Sequence, residues 1–222
     1  MSTLLLRLAA PLQSWGVEAK FETRRTQNYP TKSGVIGLLA AALGYSRDSS
    51  LERLNGLFFG VRVDRRGELL RDYHIVETKT NLGPSTIITE RFYLADAIFL
   101  AGLESDDAAF LQELEQALHN PVFPLYLGRR SCAPTMPLSL GVRDSSLIDT
   151  LRNEPPQANS ERKLWIITDA QGSDVSALIQ DNPVSFDRIH RKFAFRPVKE
   201  RYIDMSLPTQ HDPMNELGNG VI

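Results

Sequence analysis

The sequence predicts a mixed α+β protein. Its first part should follow a ferredoxin-like βαββαβ order, and a smaller β-rich part should follow it. Three observations lead to this prediction. A short apolar run, TLLLRLA at 3–9, has the length of a buried strand and ends near Pro11. Three later segments carry helical patterns, and the stretches around them alternate apolar and polar residues as half-buried strands do.

Helical patterns occur at three places in the first 120 residues. The first helix is predicted over 33–43, with Gly44 at the position of a left-handed C-terminal cap. A second, short helix is predicted over 50–57. The clearest pattern covers 105–120, where Ser105 suits the N-cap. One apolar face of this helix is expected to consist of Phe110, Leu111, Leu114 and Leu118.

Strand patterns fill the space between these helices. The stretch from 58 onward alternates valines with charged residues, and Arg66-Gly67 is a candidate turn between two strands. A Thr-rich segment containing Gly83-Pro84 predicts a projecting hairpin or loop over about 77–92. Strands over 91–103 and near 135–142 would complete the βαββαβ order.

A polar, proline-rich segment at 152–163 is a candidate domain boundary. It divides the chain into a ferredoxin-like domain over 1–150 and a β-rich region over 151–222. Within the second region we expect a strand at KLWIITDA (163–170), a short helix near 174–180 and a basic strand near 186–202.

Composition excludes several classes of protein. Of 222 residues, 42% are hydrophobic and 23% are charged, as is usual for a soluble globular protein. No apolar run approaches the roughly 18 residues of a membrane span. Cys132 is the single cysteine, so neither an internal disulfide nor a cysteine-based zinc site can form within one chain. These features predict a cytoplasmic protein without a cofactor or metal.

Charge is distributed unevenly along the chain. Segment 186–202 holds six lysines and arginines against two acidic residues, which gives it +4. Because the whole chain carries −2, the remainder carries −6. Aromatic residues are interleaved with the basic ones in this segment. The pattern favours one confined nucleic-acid-facing surface over general affinity for polyanions.

The stretch YLGRRSC (126–132) combines features of a phosphate site. Gly128 allows the backbone to turn or to approach a ligand closely. Arg129 and Arg130 offer planar donors that suit phosphates, and Ser131 adds a hydroxyl. A surface turn with solvated arginines is the alternative interpretation.

The start of the first helix admits two interpretations. Helix N-termini bind phosphate because unpaired N–H groups point outward there, and Thr31, Lys32, Ser33 and Gly34 would surround such an anion. Alternatively, Thr31 or Ser33 is only an N-cap and the small residues of the helix serve close packing. The segment does not match the Walker A pattern.

His74 is the histidine with catalytic potential. Together with Tyr73 and Lys79 it could support metal-independent RNA cleavage through the 2′-hydroxyl. A purely structural strand histidine is the alternative. Of the other histidines, His119 ends a predicted helix, His190 lies in the basic segment and His211 lies in the polar tail. No metal-binding motif is present.

Several stretches taken together resemble one known family. In chain order they are LAAPLQSWG (8–16), RRTQNYPTKSGVIGLLAAALG (24–44), LRDYH (70–74), YLGRRSCAPTMPL (126–138) and SFDRIHRKFAFRPV (185–198). They are similar to the CasD family, the fifth Cas family of the RAMP superfamily, found in type I-E CRISPR Cascade complexes. The similarity runs in order over nearly the full chain.

This resemblance implies a ferredoxin/RRM-like fold with a protruding hairpin thumb. It also implies a non-catalytic subunit that grips the 5′ handle of the crRNA. Its neighbours would be the adjacent backbone subunit and the large PAM-reading subunit, with target DNA nearby in the complex. The RNA-binding residues expected on this basis are Arg24, Arg25, Lys32, Ser33, Tyr126, Gly128, Arg129, Arg130, Ser131, Arg191 and Lys192.

Two other functions stay open at this point. One is a metal-independent endoribonuclease that processes CRISPR repeat RNA through His74, with Tyr73 or Lys79. The other is a free-standing RRM-like regulator, which would bind RNA tightly and selectively without partners.

Overall fold

A computed structural model describes residues 1–16, 23–80, 83–158, 163–172 and 174–204, with the backbone alone at 78–80 and 84. The helices of these parts are α1 (Lys32–Ala42), α2 (Glu52–Asn55), α3 (Ala108–His119) and α4 (Leu147–Asn153). The strands are β1 (Ser2–Ala9), β2 (Leu12–Gln13), β3 (Thr23–Arg24), β4 (Phe58–Arg65), β5 (Glu68–Thr80), β6 (Gly83–Ala95), β7 (Ile98–Ser105), β8 (Ser139–Arg143), β9 (Lys163–Asp169), β10 (Ala177–Ser185) and β11 (Lys192–Asp204).

These strands form two sheets. The larger sheet has the order β10-β11-β9-β4-β7-β1-β8, and its neighbouring strands are antiparallel. In the smaller sheet β6 pairs with β5 and β2 in antiparallel fashion and with β3 in parallel. The prediction of a mixed α+β protein is confirmed.

Helices α1 and α3 cover one face of the larger sheet and enclose the main core. The apolar face predicted for the third helix is buried, with Phe110, Leu111, Leu114 and Leu118 each at most 3% exposed. Its N-cap is Asp107 and not Ser105, because the Asp107 carboxylate accepts from the Phe110 N–H at 2.9 Å. Gly44 has the predicted left-handed conformation, with φ of +78°.

Helix α4, which the sequence does not predict, packs on the opposite face. Gly60 and Gly102 lie directly opposite each other in β4 and β7 and form a shallow trough. A Cβ atom at either glycine would lie 3.0 Å or less from a methyl group of Leu147. The helix fits because these two positions carry no side chain.

Two predicted elements differ from the structure. The segment near 174–180, predicted as helix, belongs to strand β10, which pairs along β11. The predicted strand 91–103 is divided into β6 and β7 at Asp96, whose φ is +56° and whose N–H donates to the Pro11 carbonyl at 3.0 Å. This break lets the chain pass from the smaller sheet to the larger one.

Strands β5 and β6 form a long hairpin, which confirms the prediction of a hairpin in this segment. Their register runs from Glu68 opposite Ala95 to Thr80 opposite Gly83, so the hairpin begins earlier than the predicted residue 77. The two residues of its tip, 81 and 82, lie outside the described part of the chain.

Strands β9–β11 come from the predicted C-terminal region and continue the larger sheet. Strand β9 pairs with β4 from Gly60 opposite Thr168 to Val63 opposite Trp165. The connection before β9 is held by Arg62, a fully buried residue of β4 whose guanidinium donates to the carbonyls of Glu154 and Pro155. Asp64, equally buried, forms an ion pair with Arg62 at 2.6 Å.

Candidate nucleic-acid interface

An open groove of about 580 Å³ lies where α1 begins, beside the segment after β1 and the β10–β11 hairpin. Its lining includes the cations Arg25, Arg129, Arg191 and Lys192 and contains no carboxylate among the described residues. The complete lining is Ser14, Trp15, Gly16, Arg25, Thr31, Ser33, Gly34, Gly128, Arg129, Gln180, Arg191, Lys192 and Phe193. Six of the residues predicted to bind RNA therefore lie together: Arg25, Ser33, Gly128, Arg129, Arg191 and Lys192.

Trp15 forms the floor of this groove. Its backbone N–H donates to the Thr26 hydroxyl at 2.8 Å, and its indole N–H donates to Gln13 Oε1 at 3.1 Å. Gly34 packs against the indole so closely that a Cβ atom there would lie 2.7 Å from a ring carbon. The glycine after Ser33 thus serves packing against Trp15.

The turn after Leu127 forms one wall. Gly128 has φ of +90°, and a Cβ atom at this position would lie 1.6 Å from the Ser14 carbonyl oxygen. The Ser14 N–H donates to the Leu127 carbonyl at 3.1 Å and holds the two segments together. Gly128 is required for this backbone contact, in addition to lying in the groove.

The two adjacent arginines of this turn have different surroundings. Arg129 is half-buried: its guanidinium lies 4.4 Å from the centre of the Tyr93 ring and donates to the Arg24 carbonyl at 2.9 Å. Arg130 and Ser131 are exposed and lie outside the groove lining, and Tyr126 is half-buried beside it. Arg24 is next to the groove through its contact with Arg129.

Arg191 and Lys192 enter the groove from the β10–β11 connection. The Arg191 guanidinium lies 5.2 Å from the centre of the Phe193 ring. Its pKa is lowered, first by burial and then by repulsion from Arg47. A bound anion would oppose both effects, because a nearby negative charge favours the charged form of the guanidinium.

Lys32 has a different position from the one predicted. Its ammonium is buried, donates to the Leu57 carbonyl at 3.0 Å and pairs with Asp169 at 3.0 Å. Its backbone N–H donates to Asp181 Oδ2 at 2.9 Å. The protein's own carboxylates thus surround the first residue of α1, where the sequence analysis placed an RNA phosphate.

A buried network continues from these carboxylates. Arg196 pairs with both Asp169, at 2.6 Å, and Asp181, at 2.7 Å. Together with Lys32 these residues form two positive and two negative charges in mutual contact. The network binds α1 to strands β9, β10 and β11, and Thr31 caps the helix by accepting from the Gly34 N–H at 3.2 Å.

Of the alternative catalytic residues, the structure describes the side chains of Tyr73 and His74, which point in different directions. Tyr73 and His74 are consecutive residues of β5, so their side chains leave opposite faces of the strand. His74 Nε2 lies 2.7 Å from Asp72 Oδ2, a neighbour on its own face. The side chain of Lys79 and all of His211 lie outside what the structure describes.

Other polar clusters give no further site. His119 is the last residue of α3, 4.0 Å from Glu115, and His190 is exposed. Among the described residues no group of three or more histidine, cysteine, aspartate or glutamate side chains could hold a metal ion. In the same residues no helix is long and apolar enough to cross a membrane.

Several groove residues escaped the sequence analysis. Ser14, Trp15 and Gly16 belong to the LQSWG stretch. A tryptophan next to a glycine was the feature of the sequence that could have indicated a binding surface there. The pairing of β10 with β11 brings Gln180 into the groove. Apart from residues 191–193, every other groove residue is more than 30 positions away from it in the sequence. No local pattern marks it.

The fold and the groove define a class: an α+β protein, rich in antiparallel strands, with a local cationic surface that suits a polyanion. The sequence profile described as "CRISPR-associated protein (Cas_Cas5)" matches residues 3–199. The chain therefore belongs to the Cas5 family of CRISPR-associated proteins.

Individual relatives agree with this assignment. The chain is 43% identical over 163 residues to the CRISPR system Cascade subunit CasD of Escherichia coli (strain K12), covering 65% of this chain and 73% of that one. A solved chain from a "CRISPR RNA-guided surveillance complex" matches with a TM-score of 0.80 and 33% identity, over 91% of this chain and 90% of the other. A second structure, "Crystal structure of Cas protein", matches with a TM-score of 0.73 and 39% identity, over 91% and 95% of the two chains.

Proposed function

We propose that this chain is a non-catalytic, RNA-binding subunit of a Cascade-type CRISPR surveillance complex and that its groove holds the 5′ handle of the crRNA. The observation that carries the proposal is the meeting of Arg25, Arg129, Arg191 and Lys192 in one groove without a carboxylate among its described lining residues. They come from three separate segments of the chain, and guanidinium and ammonium groups gathered in this way suit successive phosphates.

The fold supports this proposal through its central strands. In chain order β1, α1, β4, β7, α3 and β8 follow the βαββαβ pattern, and their strands lie in the order β8-β1-β7-β4. We propose that these elements are a ferredoxin-like, RRM-like core of the RAMP type. Strands β9–β11 extend its sheet and supply one side of the groove.

The surroundings of the groove suit single-stranded RNA. Phe193 lines it, and its ring is available together with Arg191 for stacking on an unpaired base. Gln180 supplies an amide that can donate to or accept from a base edge. Phosphate contacts should provide most of the affinity, and these two side chains the base contacts.

The β5–β6 hairpin is proposed as a thumb that lies across the RNA. It projects from the smaller sheet, and the apolar side chains Ile75 and Ile88, directly opposite each other, are 71% and 60% exposed. Such a surface is unusual on an isolated protein and suits contact with the adjacent backbone subunit. The large PAM-reading subunit and nearby target DNA are the other proposed neighbours.

The binding proposal is tested by replacing Arg25 and Arg191 together with alanine. RNA should be retained less strongly by the assembled complex, by about 1–3 kcal/mol for each lost charge-assisted contact. Arg152→Ala is the matched control, because this exposed arginine lies on α4, on the opposite face of the sheet. Equal RNA content in complexes of the double variant, the control and the unaltered protein would refute the proposal.

A separate assay addresses catalysis. Purified protein is incubated with CRISPR repeat RNA in EDTA, and the products are separated by length. We expect intact RNA, since Tyr73 and His74 project from opposite faces of β5. Specific cleavage that is lost in His74→Ala would establish the endoribonuclease alternative instead.

A further inference from the structure

We infer that Arg24, Arg91 and Arg129 form a second phosphate-binding site at the root of the β5–β6 hairpin, continuous with the groove. The inference rests on the proposed RNA-binding function and extends it to a residue, Arg91, that neither the groove nor the sequence motifs include. The ligand we assign to it is a phosphodiester group of the same RNA strand.

Strand pairing brings the three arginines together. Arg24 of β3 is the direct partner of Arg91 in the parallel pair between β3 and β6, so both side chains leave the same face of the sheet. Tyr93 is two residues beyond Arg91 on that face, and Arg129 stacks on its ring at 4.4 Å. Arg129 also donates to the Arg24 carbonyl at 2.9 Å.

Each of the three guanidinium groups has a donor that no described residue satisfies. Arg24 Nε, Arg91 Nε and Arg129 Nη1 are buried and have no hydrogen-bond partner within the described ranges. None of the ion pairs formed by the described residues includes any of these arginines. Buried donors without an acceptor are rare in native proteins, and here three occur on adjacent like charges.

The described carboxylate that lies across the hairpin from Arg91 contacts a histidine. Asp72 lies directly opposite Arg91 on β5, but its Oδ2 is 2.7 Å from His74 Nε2. Two described carboxylates of the hairpin, Asp72 and Glu90, thus pair with other residues, and the three arginines form a cluster of like charge. A phosphodiester would relieve the repulsion and accept from the unpaired N–H groups.

Continuity with the groove selects RNA as the source of that phosphate. Arg129 belongs both to the groove lining and to this cluster. An RNA strand that leaves the groove past Arg129 would meet Arg24 and Arg91 next, and from there the hairpin. Contacts of this kind read the backbone, so the site should act on any sequence.

The test measures binding of a handle RNA to the full chain at several salt concentrations for Arg91→Gln. We expect roughly ten-fold weaker binding, as is typical of one lost charge-assisted contact. The slope of log K against log salt should become shallower by about 0.7, the value for one phosphate of a single strand. The melting temperature of the free protein should stay the same or rise, because an unsatisfied charge is removed.

Arg71→Gln is the matched control. Arg71 lies on the same hairpin but on the opposite face, where it pairs with Glu90. It should leave both the affinity and the salt slope unchanged.

The outcomes separate this site from the proposed function. If the unaltered chain binds RNA neither alone nor in the assembled complex, the proposed function fails and the site with it. If the unaltered chain binds, Arg191→Ala weakens binding and Arg91→Gln matches the unaltered chain, the groove stands and the second site is refuted. A lower melting temperature with an unchanged salt slope would make Arg91 a structural residue and would also overturn the inference.

Discussion

The charge of Lys32 is neutralised by an ion pair inside the protein. Its ammonium reaches Asp169, which is 137 residues away in the sequence, and its backbone N–H is held by Asp181. A sequence-based argument expects Lys32→Glu to leave the helix unharmed, because a glutamate is favourable near a helix N-terminus. In the structure the same substitution would place a third carboxylate against two buried ones.

We therefore expect Lys32→Met to destabilise the isolated chain by about 3–5 kcal/mol, as is typical when one partner of a buried ion pair is removed. Lys32→Glu should be worse. Lys199→Met is the control, since Lys199 pairs with the largely exposed Asp174 and should change stability by no more than about 1 kcal/mol. Urea unfolding measures all three. Equal urea midpoints for Lys32→Met and the unaltered chain would show that the buried ion pair of Lys32 does not stabilise the fold.

Tyr29 gives the protein a predictable sensitivity to alkali. Burial, with Asp181 and Glu200 as further causes, raises the pKa of Tyr29 to about 12. In the unfolded chain tyrosine titrates near 10. Between these values the unfolded state loses the proton first, so stability is complete below about pH 10 and falls as the pH rises towards 12.

Tyr29→Phe removes this titration and keeps the ring that packs edge-on against Trp165 at 5.3 Å. We expect the loss of stability from pH 9 to pH 11 to be smaller in the variant than in the unaltered chain. Urea midpoints at the two pH values give the comparison. An identical loss in both proteins would show that Tyr29 is not shielded in the folded state.

Among the elements, the β5–β6 hairpin is the one that can be shortened without touching the core. Residues 85–88 are exposed, and Val76 pairs with Ile87. A shortened hairpin must keep the pairing of the two strands in register. Removing 79–89 would break this register, because it joins Thr78 to Glu90, whereas Glu90 pairs with Tyr73 in the intact hairpin.

Replacing 77–86 by Asn-Gly keeps Val76 opposite Ile87 and closes the hairpin with a two-residue turn. The melting temperature should stay close to that of the unaltered chain, because no buried side chain among the described residues is lost. In the assembled complex we expect altered RNA geometry at the junction of handle and spacer, measured by chemical probing of the RNA. An unchanged chemical-probing pattern together with normal target binding would refute the proposal that the hairpin lies across the RNA.

At the scale of the whole molecule, the two predicted regions share one sheet and one core. Strand β9 pairs with β4, and Ile167 and Val198 belong to the same buried cluster as Leu4. Lys32 also takes its ionic partners from the C-terminal strands. From these contacts we expect the first region to need the C-terminal strands in order to fold.

We predict that a fragment ending at residue 158 does not fold by itself and that the full chain unfolds in a single transition. The fragment would expose the edge of β4 and leave Lys32 without a carboxylate partner. Circular dichroism and amide NMR spectra of the fragment provide the check. A dispersed spectrum with a sharp melting transition would show that 1–150 is an independent domain.

Local patterns in the sequence were sufficient for the features that depend on neighbouring residues. The amphipathic face of α3, the left-handed Gly44 and the hairpin after β4 follow from periodicity and turn chemistry within a few positions. The groove cations at Arg129 and Arg191 were also recognisable, because each lies in a short stretch of basic residues beside glycine or aromatic rings. For these features the interacting residues are close in sequence.

Tertiary structure alone decided which charges face the groove and which are buried. Lys32 and Arg129 look alike in sequence as basic residues near glycine, yet one pairs with Asp169 and the other enters the groove. Arg62 and Asp64 alternate with valines as surface residues would, but α4 and the following segment cover them. The unsatisfied donor of Arg91 depends on a parallel strand pairing with Arg24. In every case the deciding partner lies dozens of residues away, and its burial sets the energy of the charge.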